Sequence, residues 1–316
     1  MGTSGRNSNG LGIRAAVTSL MVLVGICGLS ASASATLPGK NGPLLVSSFI
    51  KQADQNFKTW IYTETLAGKS TILRGGEANS YSDPAVSPNG KSLAYSLSPG
   101  YQLWLGPIGD PAKARALTPA DPDVNAGEPV FSPDGKSIYY SEKFFLPSGT
   151  SWYLKRYTIK TKKSKTYKLN AKLDSGLSDI SPNGQLVSLM RGGDEDTAKT
   201  FFLDTKTGKA RAFKSKGPAL DVSFSPDNKS VTYTAPVKEG FEVFTSKLNG
   251  TGAKRLTRGA LINYSPVWSP DGKQIAFTQG AEAVKKIGIV NLKTKKIRYI
   301  AAPGDYSSVD QWLSKR

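Results

Sequence analysis

An apolar run that stops at Ser-Pro, crosses a short polar turn and resumes as alternating apolar and polar residues recurs along the chain. Asp83 to Ser96 reads DPAVSPNGKSLAYS, and Glu128 to Ser141 reads EPVFSPDGKSIYYS. Leu177 to Met190 reads LSDISPNGQLVSLM, Asp221 to Thr234 DVSFSPDNKSVTYT, and Ser265 to Thr278 SPVWSPDGKQIAFT. By subtraction, the marker prolines Pro88, Pro133, Pro182, Pro226 and Pro270 stand 45, 49, 44 and 44 residues apart. That is the period of one propeller blade.

Each unit predicts a β-hairpin. The segment before Ser-Pro, such as Pro266-Val267-Trp268, is a short strand. Proline presets φ in the turn, and Asp/Asn-Gly tolerates positive φ. The strand that follows alternates with period two, as in Gln274-Ile275-Ala276-Phe277-Thr278. The aspartate of the turn is therefore a turn former first. Two further strands complete each unit. In one they are Phe241 to Thr245 and Ala253 to Thr257; in the next, Ile287 to Val290 and Lys296 to Ile300. Four strands per unit predict an all-β propeller of four-stranded antiparallel blades.

The two ends supply a sixth blade. Asn41 to Ser48 (NGPLLVSS) matches the second strand of the repeat, and Val309-Asp310-Gln311-Trp312-Leu313 matches the first. The C-terminal strand is expected to pair with the first blade, closing a six-bladed ring and removing an open edge.

The units fit x-P-x-[FW]-S-P-D-G-K-x-[IL]-x-[FY] and resemble the WD-like repeats of TolB-like six-bladed β-propellers. TolB itself carries an α/β domain ahead of its propeller; here the first blade is expected to begin directly after a leader, without that domain. Prolyl oligopeptidases and oligogalacturonate lyases carry similar propellers. The first resemblance implies an attached hydrolase domain and the second catalytic or metal-binding histidines, and the chain has no histidine.

Residues 1–35 are expected to be a cleaved signal peptide and 36–316 a single propeller domain. Met1 to Arg14 is polar with Arg6 and Arg14 as its charges, Ala15 to Leu29 is uncharged and apolar, and Ser30 to Thr36 is small and polar. Ala31-Ser32-Ala33 and Ala33-Ser34-Ala35 both fit an A-x-A cleavage site. The competing reading is a retained anchor, for which the run is short. Ile26 stands before the lone Cys27, where lipidation needs a small residue. The expected location is the periplasm, the cell envelope or the medium, with no membrane span after processing.

Composition narrows the chemistry. With no histidine, and no cysteine after Cys27, there is no Ser-His or Cys-His nucleophile, no histidine metal site and no disulfide. The net charge of +18 becomes +16 without Arg6 and Arg14. Such a balance favours an anionic partner. Export argues against nucleic acid, and a monomer is expected.

Strand direction sorts the charges onto two faces. Lys91, Lys136, Lys229 and Lys273 follow the turns between strands one and two. The turns between strands three and four add Lys69, Lys162, Lys163, Lys165, Lys206, Lys209, Lys254, Arg255, Lys293, Lys295 and Lys296. Asp121, Asp123, Asp194-Glu195-Asp196, Glu239 and Glu282 fall on the other side. Two readings of the lysines are open: guards of the outer strand edges, or a face that binds an anionic polymer.

The residues five before the marker prolines are Asp83, Glu128, Leu177, Asp221 and Ser265, with Val309 aligned. Asp83, Glu128 and Asp221 are therefore expected at the channel mouth. There they form a candidate site for a hard cation such as calcium or, alternatively, for acid-base cleavage of a polysaccharide. No other cofactor is expected. The sialidase box S-x-D-x-G-x-x-W is not met, because glycine follows the turn aspartate directly. Trp60, Trp104, Trp152, Trp268 and Trp312 are expected mostly in strands as packing residues. Together these features predict an exported, non-catalytic binding or scaffold propeller for a protein or an anionic cell-envelope polymer, with a polysaccharide-acting enzyme as the alternative.

Overall fold

The computed structural model describes residues 35–315 apart from 52–56, 76–79, 99, 147–148, 168–174, 193–197, 239, 260–261, 282–283, 303 and 305. The predicted leader, Asp194-Glu195-Asp196, Glu239 and Glu282 lie outside the described residues. Six four-stranded antiparallel sheets make six blades. The innermost strands are Tyr306–Lys315 in blade I, Ser80–Val86 in blade II, Val124–Phe131 in blade III, Ser175–Ile180 in blade IV, Leu220–Phe224 in blade V and Ile262–Trp268 in blade VI. Blade I continues outward through Lys40–Lys51, Phe57–Glu64 and Ser70–Arg74. Among the described residues no helix is long and apolar enough to cross a membrane.

Ser-Pro-Asx-Gly, or Ser-Pro-Asp-Asn in blade V, makes the same turn in the five internal blades. In blade III, Ser132 Oγ accepts the Ser137 N–H at 2.9 Å and donates to Asp134 Oδ1 at 2.6 Å. The same carboxylate accepts the Lys136 N–H at 3.0 Å. The Gly135 N–H closes the turn on the Ser132 carbonyl at 2.8 Å. Gly135 has φ 69°, a conformation glycine adopts without a Cβ clash. Blade V places Asn228 there instead, at φ 60°, and its side-chain oxygen accepts the Asn183 N–H of blade IV at 3.0 Å.

Ring closure is as the half-motifs predict. Tyr306–Lys315 pairs antiparallel with Lys40–Lys51, with Leu44 opposite Trp312 and Val46 opposite Val309. The Trp312 indole N–H donates to the Gly42 carbonyl at 3.1 Å, and its ring is 1% exposed. The core lies between blades. At the junction of blades IV and V, the Phe202 ring centroid is 5.1 Å from Phe213 and 5.2 Å from Phe224. Burying each such ring contributes about 1.5–3 kcal/mol. Trp104 and Trp268 occupy strands as expected. Trp152 does too, but its ring faces the Lys143 ammonium at 4.8 Å.

Candidate functional site

Each innermost strand carries an irregularity in its pairing with strand two. Asp83, Glu128, Asp221 and Ser265 stand there with φ of 50°, 54°, 49° and 51°. At the bend Asp83 accepts from the Ser96 hydroxyl of its own blade at 3.1 Å and Asp221 from the Thr234 hydroxyl at 3.2 Å, and the three acids also reach the next blade. Asp83 accepts the backbone N–H of Glu128, and Glu128 Oε2 accepts that of Leu177 at 2.6 Å. Asp221 Oδ2 accepts that of Ser265 at 3.3 Å.

The other junctions are tied by residues that the five-before-proline column did not single out. Gln311 Oε1 accepts the Val86 N–H at 3.0 Å, joining blades I and II. Asp179 Oδ2 accepts the Phe224 N–H at 2.7 Å, joining blades IV and V. Thr278 Oγ1 accepts the Val309 N–H at 3.1 Å, joining blades VI and I. All six junctions therefore carry a side chain bonded to the backbone of the neighbouring blade. Asp179 and Gln311 share an inner-strand column with Ala85, Val130, Ser223 and Val267, where a long polar side chain is the readable signal.

Electrostatics link only some of these acids. Burial, and then repulsion from Glu128, pushes the Asp83 carboxyl up to about 7 against the help of the Ser96 and Ser82 hydroxyls. Burial holds Asp310 well above the usual carboxylate range, with the Asp83 charge adding to it. Burial does the same for Asp179, and it raises Asp221. Asp83, Glu128 and Asp310 are thus one coupled group, and Asp221 is raised without a charge partner. Among the described residues, no three His, Cys, Asp or Glu side chains lie close enough together to hold a metal ion. Asp83, Glu128 and Asp221 each bond to the backbone of the next blade.

The turn face presents its lysines to solvent. Lys136, Lys162, Lys163, Lys165, Lys206, Lys209, Lys273, Lys293, Lys295 and Lys296 are all exposed. Acids among them serve the turns. Asp271 Oδ1 accepts the Lys273 N–H at 3.0 Å. Lys136 stands 3.9 Å from the turn acid Asp134, and in the outer turn of blade II Lys113 pairs with Asp110 at 2.8 Å. Lys162 and Lys295 have φ of 56° and 62°. Their N–H groups close the outer turns on the carbonyls of Thr158 and Asn291 at 2.9 and 2.8 Å. In blade IV the same bond, Gly208 N–H to the Asp204 carbonyl at 2.8 Å, is made by a glycine at φ 73°.

A strap crosses the axis on this same face. Ala35 is buried with Val130 of blade III and Ile180 and Val187 of blade IV. The Leu37 carbonyl accepts the Ser314 hydroxyl of blade I at 3.0 Å. The Gly39 N–H donates to the Pro270 carbonyl of blade VI at 3.1 Å. Beneath it, Ala35 and Leu37 help line a cavity of about 180 Å³ with Val86, Phe131 and Trp312. On the opposite face the described residues include acids and a lysine. Asp121 and Asp123 lie there, but so does the long hairpin of blade III, whose Lys143 ammonium sits 5.0 Å from the Phe145 ring.

The TolB β-propeller domain model matches residues 127–311. An uncharacterized protein of Agrobacterium fabrum, Atu1656, is 27% identical over 129 residues, covering 40% of this chain and 44% of that protein. The chain spans less than half the length of the curated relatives it matches. TolB from Acinetobacter baumannii superposes with a TM-score of 0.68 at 16% identity, covering 86% of this chain and 67% of that one. A puromycin-hydrolyzing peptidase from Mycobacterium tuberculosis gives a TM-score of 0.56 at 16% identity, covering 86% of this chain and 50% of the peptidase. At these identities the structural likeness is one of fold.

Proposed function

This chain belongs to the TolB β-propeller family, and from that premise we propose that it is an exported binding propeller, not an enzyme, whose turn face holds a polyanionic cell-envelope partner. One observation carries the reading. Lys162 and Lys295 occupy left-handed turn positions where a glycine makes the same bond in blade IV. An L residue pays roughly 1–2 kcal/mol to stand in that region. Edge protection does not require a lysine at the strained position itself, since Lys163 and Lys296 stand beside it. Stability conceded for charge at two equivalent turns favours a function for the charge.

The test is binding of the exported protein to purified anionic cell-wall polymer across a salt series. The apparent affinity is expected to fall about tenfold or more between 50 and 200 mM salt. The double variant Lys162→Gly, Lys295→Gly is expected to flatten the log-log salt slope by roughly 2 while leaving the melting temperature unchanged or higher. No binding at low salt would overturn the proposal. So would a double variant that binds as wild type does.

A further inference from the structure

Two outer turns on opposite sides of the ring carry the same four residues. Lys160-Thr161-Lys162-Lys163 leads into the fourth strand of blade III, and Lys293-Thr294-Lys295-Lys296 into that of blade VI. In a six-bladed ring these two blades face each other across the axis. The repeat period does not impose the match. The same turn reads Lys206-Thr207-Gly208-Lys209 in blade IV and Leu66-Ala67-Gly68-Lys69 in blade I, and blade V carries Asn249-Gly250-Thr251-Gly252. In blade II, Lys113 is paired with Asp110. The six lysines of the matching turns are all exposed, and among the described residues none of them forms an ion pair. The backbone sets both clusters in the same place. The Ile159 N–H donates to the Lys136 carbonyl at 3.0 Å and the Leu292 N–H to the Lys273 carbonyl at 2.9 Å. Each outer cluster therefore continues from a lysine of the inner turn, where blade IV has Gln185. The acids of the two inner turns, Asp134 and Asp271, are committed to turn N–H groups. The strap that crosses the axis between them, Ala35 to Gly39, carries no charged side chain.

We infer that the turns of blades III and VI are the two ends of one track, and that the partner is a linear polyanion long enough to bridge them over the strap. The inference rests on the proposed binding function of this face. Strands within a blade stand ~4.8 Å apart and packed sheets ~10 Å apart, which puts opposite outer turns on the order of 45 Å from each other. A chain that reaches both clusters is held twice. Its second contact forms at the effective concentration set by the length of chain between them, which multiplies the affinity of either cluster alone. An anion too short to bridge meets one cluster at a time and gains only the weak, salt-screened attraction of three lysines.

The exported protein is titrated at about 50 mM salt with poly-L-glutamate of about 6 and about 30 residues, which extend to at most roughly 20 and 100 Å. The long chain is expected to bind tightly, one per protein, and the short chain weakly. One variant combines Lys160→Gln, Lys162→Gln and Lys163→Gln, and a second combines Lys293→Gln, Lys295→Gln and Lys296→Gln. Either variant is expected to lose about tenfold or more in affinity for the long chain, with its melting temperature unchanged. Clusters that act independently would give a loss of only about twofold in each variant, because one of two alternative sites remains. That result, or two long chains per protein, overturns the bridge and leaves polyanion binding by this face intact. Binding of neither chain overturns the proposed function itself. Binding to vesicles containing phosphatidylglycerol, with none to the long chain, overturns both and assigns the face to a membrane surface.

Discussion

Asp83 stands at φ 50° with its carboxylate reaching across to the backbone of blade III, so its strain and its role share one cause. Only a bend at that point aims a short acid at the neighbouring N–H. Its raised pKa gives the tie a pH signature of unusual sign. Between the ordinary carboxylate range near 4 and the folded value of about 7, the folded state holds a proton that the unfolded chain has released. Stability from this group is therefore full at low pH and falls as pH rises through that window, by on the order of 4 kcal/mol at most. Asp83→Asn keeps an acceptor oxygen, tolerates the left-handed backbone and removes the charge. Urea denaturation of the two proteins from pH 4 to 8 should show the variant losing less stability with rising pH. Parallel pH profiles would refute the assignment. The sequence made Asp83, Glu128 and Asp221 visible as one column of acids. It did not show that they bond to backbone, because the partner N–H belongs to a residue about 45 positions on, and only the ring brings it near. Asp179 and Gln311 escaped for the same reason.

At the scale of the element, the Ser-Pro-Asx-Gly hairpin is where sequence and structure agree most closely, because every residue of the turn has a local task. In blade III the Ser132 hydroxyl bonds both the Ser137 N–H and Asp134. The Ser132→Ala variant leaves that N–H and one carboxylate lone pair without a partner. A loss of about 1 kcal/mol is expected in equilibrium unfolding, and a variant as stable as wild type would mean that water replaces the hydroxyl at no cost. Strand ends were less legible. The second and third strands of blade III run Ser137–Leu146 and Gly149–Thr158, well past the repeat. The extension alternates no apolar core face. It is held by its own contacts, such as the edge-on Phe144 and Tyr153 rings at 5.3 Å, which a period-two template does not register.

The whole molecule depends on a contact between its two ends. The closing strand was legible because each end holds half of a motif repeated five times between them. The strap was not, because Ala35 and Thr36 read as the end of the small, polar tail of a leader, and the residues after them acquire an address only when six blades surround them. Closure also separates this fold from an open array of repeats, in which each unit adds its own stability. Here Trp312 is 1% exposed and joins a core that includes Leu44, Val267 and Ile289, residues of blades I and VI. Removing its ring should therefore loosen the closing blade and the blade beside it together. Trp312→Ala is expected to cost about 3–5 kcal/mol. If the ring unfolds as one unit, the variant's urea midpoint shifts while its m-value stays at the wild-type value, since the surface exposed on unfolding is unchanged. A lowered m-value with an early first transition would mean instead that blades I and VI open alone. The propeller would then behave as a chain of separable blades, with closure adding little to the rest.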